Sequence, residues 1–399
     1  MDDLYKSKRR IETALLKIKN SNLSKKNKEL IIKFHNDCFS EGLSSLRILK
    51  YVYTLYGLAS RLEKNFDDVN TDDIKILVGK IERSDYAEWT KHDYKVVLRR
   101  FYKWLRESDE YPPEVKWIKA TMKNNRTKLP EELLTEGDVK KLIIAANNPR
   151  DKAIVSVLYE SGVRLGELLS LKLKNVQFDK YGAILSVNGK TGYRRVRVVS
   201  STPYLTDWIN NHPDKDNPES PLWITNDYRK KQIGYGRIRA LLLSIKKRTN
   251  VKKKVNAHNF RHSRATFLAN HLTEAQLKEM FGWVRNSDMA SIYVHLSGRD
   301  VDNALLKTYD IETDREKKKE TVLKPKICIR CEEVNPPTNK FCSKCGLALD
   351  KETIVEIMKN DVERKEADKI LDELIQDQNF RNLFLSKIKK LSNKTFQTT

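Results

Sequence analysis

A mainly α-helical fold with one small β-sheet, followed by a short cysteine segment and a helical tail, is what this sequence predicts. Three observations carry the prediction. Apolar residues recur at helical spacing through most of the 399 residues. One stretch, "AILSV", "NGKTGY" and "RRVRVVS" at 183–200, alternates apolar and polar positions around a Gly-containing turn, as a β-hairpin does. Four Cys crowd into residues 328–345, while the fifth, Cys38, stands alone.

The elements follow in order. Residues 1–108 read as a helical domain. Leu46, Leu49, Val52, Tyr53, Tyr56 and Leu62 keep helical spacing within 43–62, and Thr71 followed by Asp72 and Asp73 looks like an N-cap. Tyr94, Val97, Phe101 and Leu105 line one face of the next helix, with Arg and Lys elsewhere. Residues 109–130, with "YPPE" and "KNNRTKLP", form a Pro-punctuated basic linker. A second domain, 131–312, opens at Thr135 and Asp138 with a capping-box start. Gly162 ends its second helix before "RLGELLSL" begins another, the hairpin follows, and helices run on to about residue 309, broken by the basic run 246–254.

The spacing Cys328-x2-Cys331-x10-Cys342-x2-Cys345 sets two thiolates on each of two tetrahedral edges, which suits a structural Zn²⁺ in a ribbon over 326–349. A segment this short has no core, so metal binding supplies most of its folding free energy. A redox dithiol pair is the weaker alternative, since the βαβ setting it needs is absent. Cys38 reads as a buried apolar filler. The tail, 350–399, carries Ile354, Met358, Ile370, Leu371, Leu374 and Ile375 on one helical side. Packing on the ribbon and self-association both remain open for it.

The formal net charge of +23 points to a polyanion, and nucleic acid leads. The N-terminus lacks the apolar run of a signal peptide. No later stretch approaches the ~18 apolar residues of a membrane span, so a soluble, cytoplasmic and nucleoid-associated protein without a membrane partner is expected.

Chemistry-bearing residues gather in 151–300. Arg164 starts a short helix with Glu167 three residues on. Lys190 lies at the hairpin turn, and His258 and Arg261 share a helical face. His262, about 100° around that helix from Arg261, reads as structural. Trp283 and Tyr293 flank "GWVRNSDMASIY", which presents the Tyr on its own helix.

In that order, "SGVRLGELLSL", a hairpin Lys, "HNFRHSRAT", "FGW" and "YVHLSG" resemble the tyrosine recombinase family (phage integrase, Xer-type) over about residues 130–300. Trp rather than His at 283, and one residue more than the commonest spacing to Tyr293, resemble archaeal members. The resemblance implies a helical core-binding domain, SAM-like, ahead of an α/β catalytic domain, with the ribbon and tail appended. It implies a site-specific recombinase or integrase that cleaves and rejoins double-stranded DNA at specific sites, as a homotetramer on two sites. The chemistry is like that of type IB topoisomerases, through a 3′-phosphotyrosyl intermediate and without ATP.

By the same resemblance Tyr293 is the nucleophile. Arg164 and Arg261 clamp the phosphate, a task that planar, always-charged guanidiniums suit. Lys190 is the general acid, and His258 accepts the phenol proton or hydrogen-bonds the phosphate. Trp283 binds an oxygen or buttresses Tyr293, and Glu167 orients His258 or an Arg. Catalysis itself needs no metal. A DNA-binding regulator that lost cleavage and a relaxing topoisomerase are the competing readings. Integration by a mobile element is favoured over chromosome-dimer resolution by the added ribbon and tail.

Overall fold

The computed structural model describes residues 7–121, 130–189, 192–296, 309 and 321–395. The chain folds as two compact units, residues 1–130 with 224–239, and 131–223 with 240–399.

In the first unit, α1 (Ser7–Lys19), α2 (Lys25–Ser40), α3 (Ser45–Ala59), α4 (Thr71–Glu82), α5 (Glu88–Leu105) and the single turn α6 (Pro113–Lys116) enclose one core. Phe34, Phe66 and Phe101 meet at its centre, with Phe34 and Phe101 edge to face at 5.3 Å. Each fully buried side chain of this kind adds roughly 1.5–3 kcal/mol. Cys38 lies in this core, as expected of a filler, and burial pushes its thiol up to about 11. The cap of α4 is Asn70 rather than Thr71: the Asn70 side chain accepts from the N–H groups of Asp72 and Asp73, and Asp73 closes the capping box. Extended backbone at Asn70 turns its carboxamide toward those N–H groups, whereas Thr71 is already helical.

In the second unit, Thr135 and Asp138 cap α7 (Glu136–Ile144). Helix α8 (Pro149–Ser161) starts with Asn148 as cap and Pro149 in the first turn. It is buried almost all round, which makes it the axis of the unit. Its polar residues are satisfied inside. Arg150 pairs with Asp151 at 2.6 Å, and the Glu160 carboxylate accepts the backbone N–H groups of Val199, Ser200 and Ser201. Next come α9 (Leu165–Leu169) and a three-stranded antiparallel sheet, β1 (Val176–Asp179), β2 (Gly182–Gly189) and β3 (Gly192–Val198). The sequence announces β2 and β3 only, because β1 is four residues long and mostly exposed.

The chain continues through α10 (Thr202–Asn210), α11 (Tyr235–Lys247), α12 (Ala257–Leu268), α13 (Glu274–Phe281) and α14 (Met289–Leu296). The Cys segment holds two short paired strands, β4 (Lys326–Ile327) and β5 (Val334–Asn335), before α15 (Lys351–Gln376) and α16 (Gln378–Thr395). Thr338 Oγ1 and Tyr204 Oη lie 2.6 Å apart, and the Val322 N–H donates to Glu136 at 2.9 Å, which ties this segment to the body of the unit. The tail touches the segment through its first turns, by Lys326–Asp350 and Lys340–Glu356. On its apolar side Ile354, Met358, Ile370 and Leu374 are exposed, while Leu371 and Ile375 are half-buried.

Candidate active site

The site forms where α8 ends. Gly162 adopts φ +57°, a left-handed cap that glycine takes without a Cβ penalty, and its carbonyl accepts from Arg261 Nη1 at 2.8 Å. Two residues on, Arg164 is the N-cap of α9. Both guanidiniums turn onto the C-terminal end of α13. Arg261 Nη2 donates to the Phe281 carbonyl at 2.6 Å, and Arg164 donates to the carbonyls of Phe281 and Gly282 at 3.5 and 3.1 Å. The last carbonyls of a helix carry partial negative charge and lack intrahelical partners, so they hold two cations side by side. Arg261 is buried, whereas the Arg164 side chain is 40% exposed. Burial, with the Arg164 charge beside it, lowers Arg261 to about 10, so it stays charged at neutral pH.

Glu167 supports this pair from beneath. Its carboxylate, 4% exposed, accepts the Arg164 N–H at 2.8 Å and Nη1 at 3.0 Å. Arg194 on β3 reaches the same carboxylate with Nη1 at 3.1 Å and Nη2 at 2.7 Å, and its Nε donates to the Met280 carbonyl. Burial alone would raise the Glu167 pKa; the hydrogen bonds from Arg194 and Arg164 outweigh it and hold the carboxyl below its ordinary value. Glu167 thus orients an Arg, Arg164, and His258 has its own partner elsewhere.

Three aromatic rings stack beside the guanidiniums. Phe281 and Trp283 lie 5.0 Å apart at 16°, and Trp283 and Tyr293 lie 5.3 Å apart at 4°. The Arg261 guanidinium sits 5.0 Å from the Phe281 ring and 5.5 Å from the Trp283 ring. Tyr293 on α14 is 2% exposed, and burial pushes its phenol up to about 12 against the pull of the Arg261 charge. Its hydroxyl hydrogen-bonds His262 Nδ1, and His262 Nε2 lies 2.7 Å from His258 Nε2. His262 thus stands between His258 and the Tyr293 hydroxyl. The relevant spacing is four residues from His258, which sets both imidazoles on one helical face, and not one residue from Arg261.

The structure brings Arg164, Glu167, His258, Arg261, Trp283 and Tyr293 together; Lys190 lies outside the described residues. Sequence reading missed two participants. One is His262. The other is Arg194, which strand alternation puts on the same face as buried Val196 and Val198.

A second site is the Cys segment. The sulfurs of Cys328, Cys331, Cys342 and Cys345 all lie within 4.8 Å of one another, and two pairs stand 3.5 and 3.6 Å apart. A tetrahedral Zn–S₄ centre has sulfur edges of about 3.8 Å, so the donor set fits a metal ion. The Asn335 amide donates to Cys342 Sγ at 3.5 Å, an orienting bond of the sort that accompanies metal thiolates.

Residues 132–299 match the model of the phage integrase family. The chain is 27% identical over 291 residues to the tyrosine recombinase XerA of Pyrococcus horikoshii, across 72% of this chain and 96% of that protein. It is 28% identical over 245 residues to the tyrosine recombinase XerC of Natranaerobius thermophilus, across 58% of this chain and 80% of that one. Among solved structures, its fold resembles the XerH site-specific recombinase bound to palindromic difH substrate, with TM-score 0.55 and 17% identity over 77% of this chain and 91% of that chain. It also resembles a lambda integrase dimer bound to a COC′ core site, with TM-score 0.54 and 16% identity over 73% and 82%. The segment that holds both arginines, both histidines and the stacked tyrosine is thus the one that matches the phage integrase family, and the chain is similar to tyrosine recombinases.

Proposed function

We propose that this protein is a site-specific recombinase that breaks and rejoins double-stranded DNA with Tyr293 as nucleophile, assembled as a homotetramer on two recombination sites. The observation that carries the reading is the shared anchoring of Arg164 and Arg261 on the Phe281 and Gly282 carbonyls, beside a tyrosine stacked on Trp283.

The Tyr293 oxygen attacks the scissile phosphorus, a 3′-phosphotyrosyl bond forms, and the 5′-hydroxyl leaves; the bond energy stays in the covalent intermediate. Negative charge gathers on the non-bridging oxygens, where the two guanidiniums hold it. Removing one such preorganised donor lowers the rate on the order of hundredfold. Lys190, next in the chain to Gly189, protonates the leaving oxygen. His258 serves the phenol proton or the phosphate, and Trp283, with only an indole N–H, buttresses Tyr293. Residues 1–108 act as the core-binding domain and 131–312 as the catalytic domain, joined by the linker 109–130. Zn²⁺ held by the four Cys supplies the fold of the ribbon and no chemistry. The net charge of +23 is consistent with a nucleoid-associated protein whose DNA affinity falls steeply with salt.

The test uses a nicked duplex selected from a random-sequence pool for covalent capture by the full-length protein. Loss of the short 5′-hydroxyl fragment should trap the adduct, and Tyr293→Phe should abolish it with binding nearly intact. An adduct formed by that variant would assign the chemistry to another residue; binding without any adduct in the wild type would make the protein a regulator.

A further inference from the structure

We propose that His262 is the immediate acceptor of the Tyr293 proton and passes charge to His258, so that the two imidazoles form a relay leading from the buried phenol to solvent. The inference rests on the reading of Tyr293 as the nucleophile and deepens it.

The geometry carries the argument. His258 and His262 stand one turn apart on α12, with Nε2 of each 2.7 Å from the other and ring centroids 4.1 Å apart at 84°. The other nitrogen of His262, Nδ1, bonds the Tyr293 hydroxyl. Each nitrogen of one imidazole is thus committed to a different partner. A neutral imidazole donates through one nitrogen and accepts through the other, so the three groups form a directional chain. In the resting arrangement the phenol donates to His262 Nδ1, and His262 Nε2–H donates to His258 Nε2.

The burial gradient makes this path useful. Tyr293 is 2% exposed, His262 is half-buried and His258 is exposed. Burial holds the phenol at about 12, so it does not ionise unaided near neutrality. Trp283, stacked on it, has no lone pair to accept a proton, and Arg261 is already charged.

The step balances as follows. The Tyr293 O–H bond breaks as the oxygen bonds phosphorus, and the proton moves to His262 Nδ1. The Nε2 proton of His262 moves to His258, which becomes the imidazolium, while His262 ends as the other neutral tautomer. The bond from phosphorus to the 5′-oxygen breaks, and that oxygen takes its proton from a separate acid. Religation runs the same transfers backwards.

The experiment measures single-turnover cleavage of the captured nicked duplex by the full-length protein, with an ordinary 5′-oxygen bridge and with a 5′-phosphorothiolate bridge whose leaving thiolate needs no acid. His262→Asn keeps a hydrogen-bonding group near the Nδ1 position but cannot take up a proton. It should cleave roughly 10²-fold more slowly on both substrates, with duplex affinity unchanged. His258→Gln, at the exposed end, should lose about tenfold and shrink the solvent isotope effect; it carries the test should His262→Asn fold poorly. Cleavage by His262→Asn within about threefold of wild type would show that a hydrogen bond suffices, and the relay would be wrong. Rescue of His262→Asn by the phosphorothiolate would also overturn it, since the missing proton would then be the one given to the leaving oxygen. If Tyr293→Phe still forms an adduct, it is the nucleophile assignment that fails.

Discussion

Gly189, the last residue of β2, lies so close to Glu167 that a Cβ added to it would overlap Oε1 of that carboxylate. A carboxylate at the end of a free side chain could swing aside, but this one is held by Arg164 and by both terminal nitrogens of Arg194. Gly189→Ala should therefore act through Glu167. Displacing it leaves a buried charge network short of a partner, worth roughly 1–3 kcal/mol. Thermal unfolding should shift down accordingly, and cleavage should fall at least about tenfold with duplex affinity kept. The discriminating measurement is a double-mutant cycle: Gly189→Ala added to Glu167→Ala should cost much less than alone, because the overlap with the carboxylate is gone and only Arg194 Nη1, at 3.2 Å and freed from its partner, must give way.

The same carboxylate should govern acid stability. Its folded pKa lies below its ordinary value of about 4.3, so the unfolded chain binds the extra proton first. The stabilisation is complete above the unfolded value and is lost as pH falls through the folded one. Urea midpoints recorded from about pH 6 down to about pH 3 should drop less steeply in Glu167→Gln than in wild type. An identical slope in the two proteins would show that Glu167 does not titrate with folding.

What the sequence made legible, and what it hid, follows from the range of each interaction. Thr135 and Asp138 cap α7 through contacts three residues apart, and Gly162 ends α8 by its own backbone freedom; such local rules read directly from the chain. The grip of Arg261 on Gly162 and Phe281 spans 99 and 20 residues, and no periodicity reports it. The family resemblance names Arg261 as a phosphate clamp and says nothing of this grip. Arg194 is an intermediate case. In "RRVRV" the alternation places it inward with Val196 and Val198, but an arginine facing a core is expected only once its buried carboxylate partner is known. His262 is hard to place from its neighbour Arg261, one residue away, because its contacts run to His258, one full turn back, and to Tyr293, 31 residues on. Asn70 lost the cap of α4 to Thr71 in the reading for a smaller reason, since both residue types cap helices and only the backbone angle decides between them.

Gly162 offers a prediction of a different origin. Its φ of +57° already disfavours a side chain, and a Cβ would stand 2.5 Å from Cε1 of Phe281. Left-handed strain of roughly 1–2 kcal/mol adds to overpacking of roughly 1–3 kcal/mol. Gly162→Ala should therefore lower stability by about 2–5 kcal/mol in urea unfolding. Because Phe281 also presents the carbonyl that both arginines grip, the variant should cleave slowly even where it remains folded. Wild-type cleavage in a folded Gly162→Ala would mean that the Phe281 carbonyl does not set the guanidiniums.

The ribbon should respond to metal removal separately from the catalytic core. Around the four sulfurs, β4 and β5 span two residues each, so neither strand pairing nor an apolar core accounts for the local order. A Cys₄-bound Zn²⁺ contributes on the order of 10 kcal/mol to such a segment. Purified protein should carry about one zinc per chain, lost on thiol-specific titration and absent in Cys345→Ser. Backbone amides across 326–349 should then exchange rapidly, while those of α8, which makes its bonds within the body of the unit, keep their protection. Tyr204→Phe, which removes the hydroxyl near Thr338, should leave zinc content unchanged but loosen exchange where the segment meets α10. Metal-free protein with the same protection across 326–349 as the zinc-loaded form would dismiss the structural role of the ion.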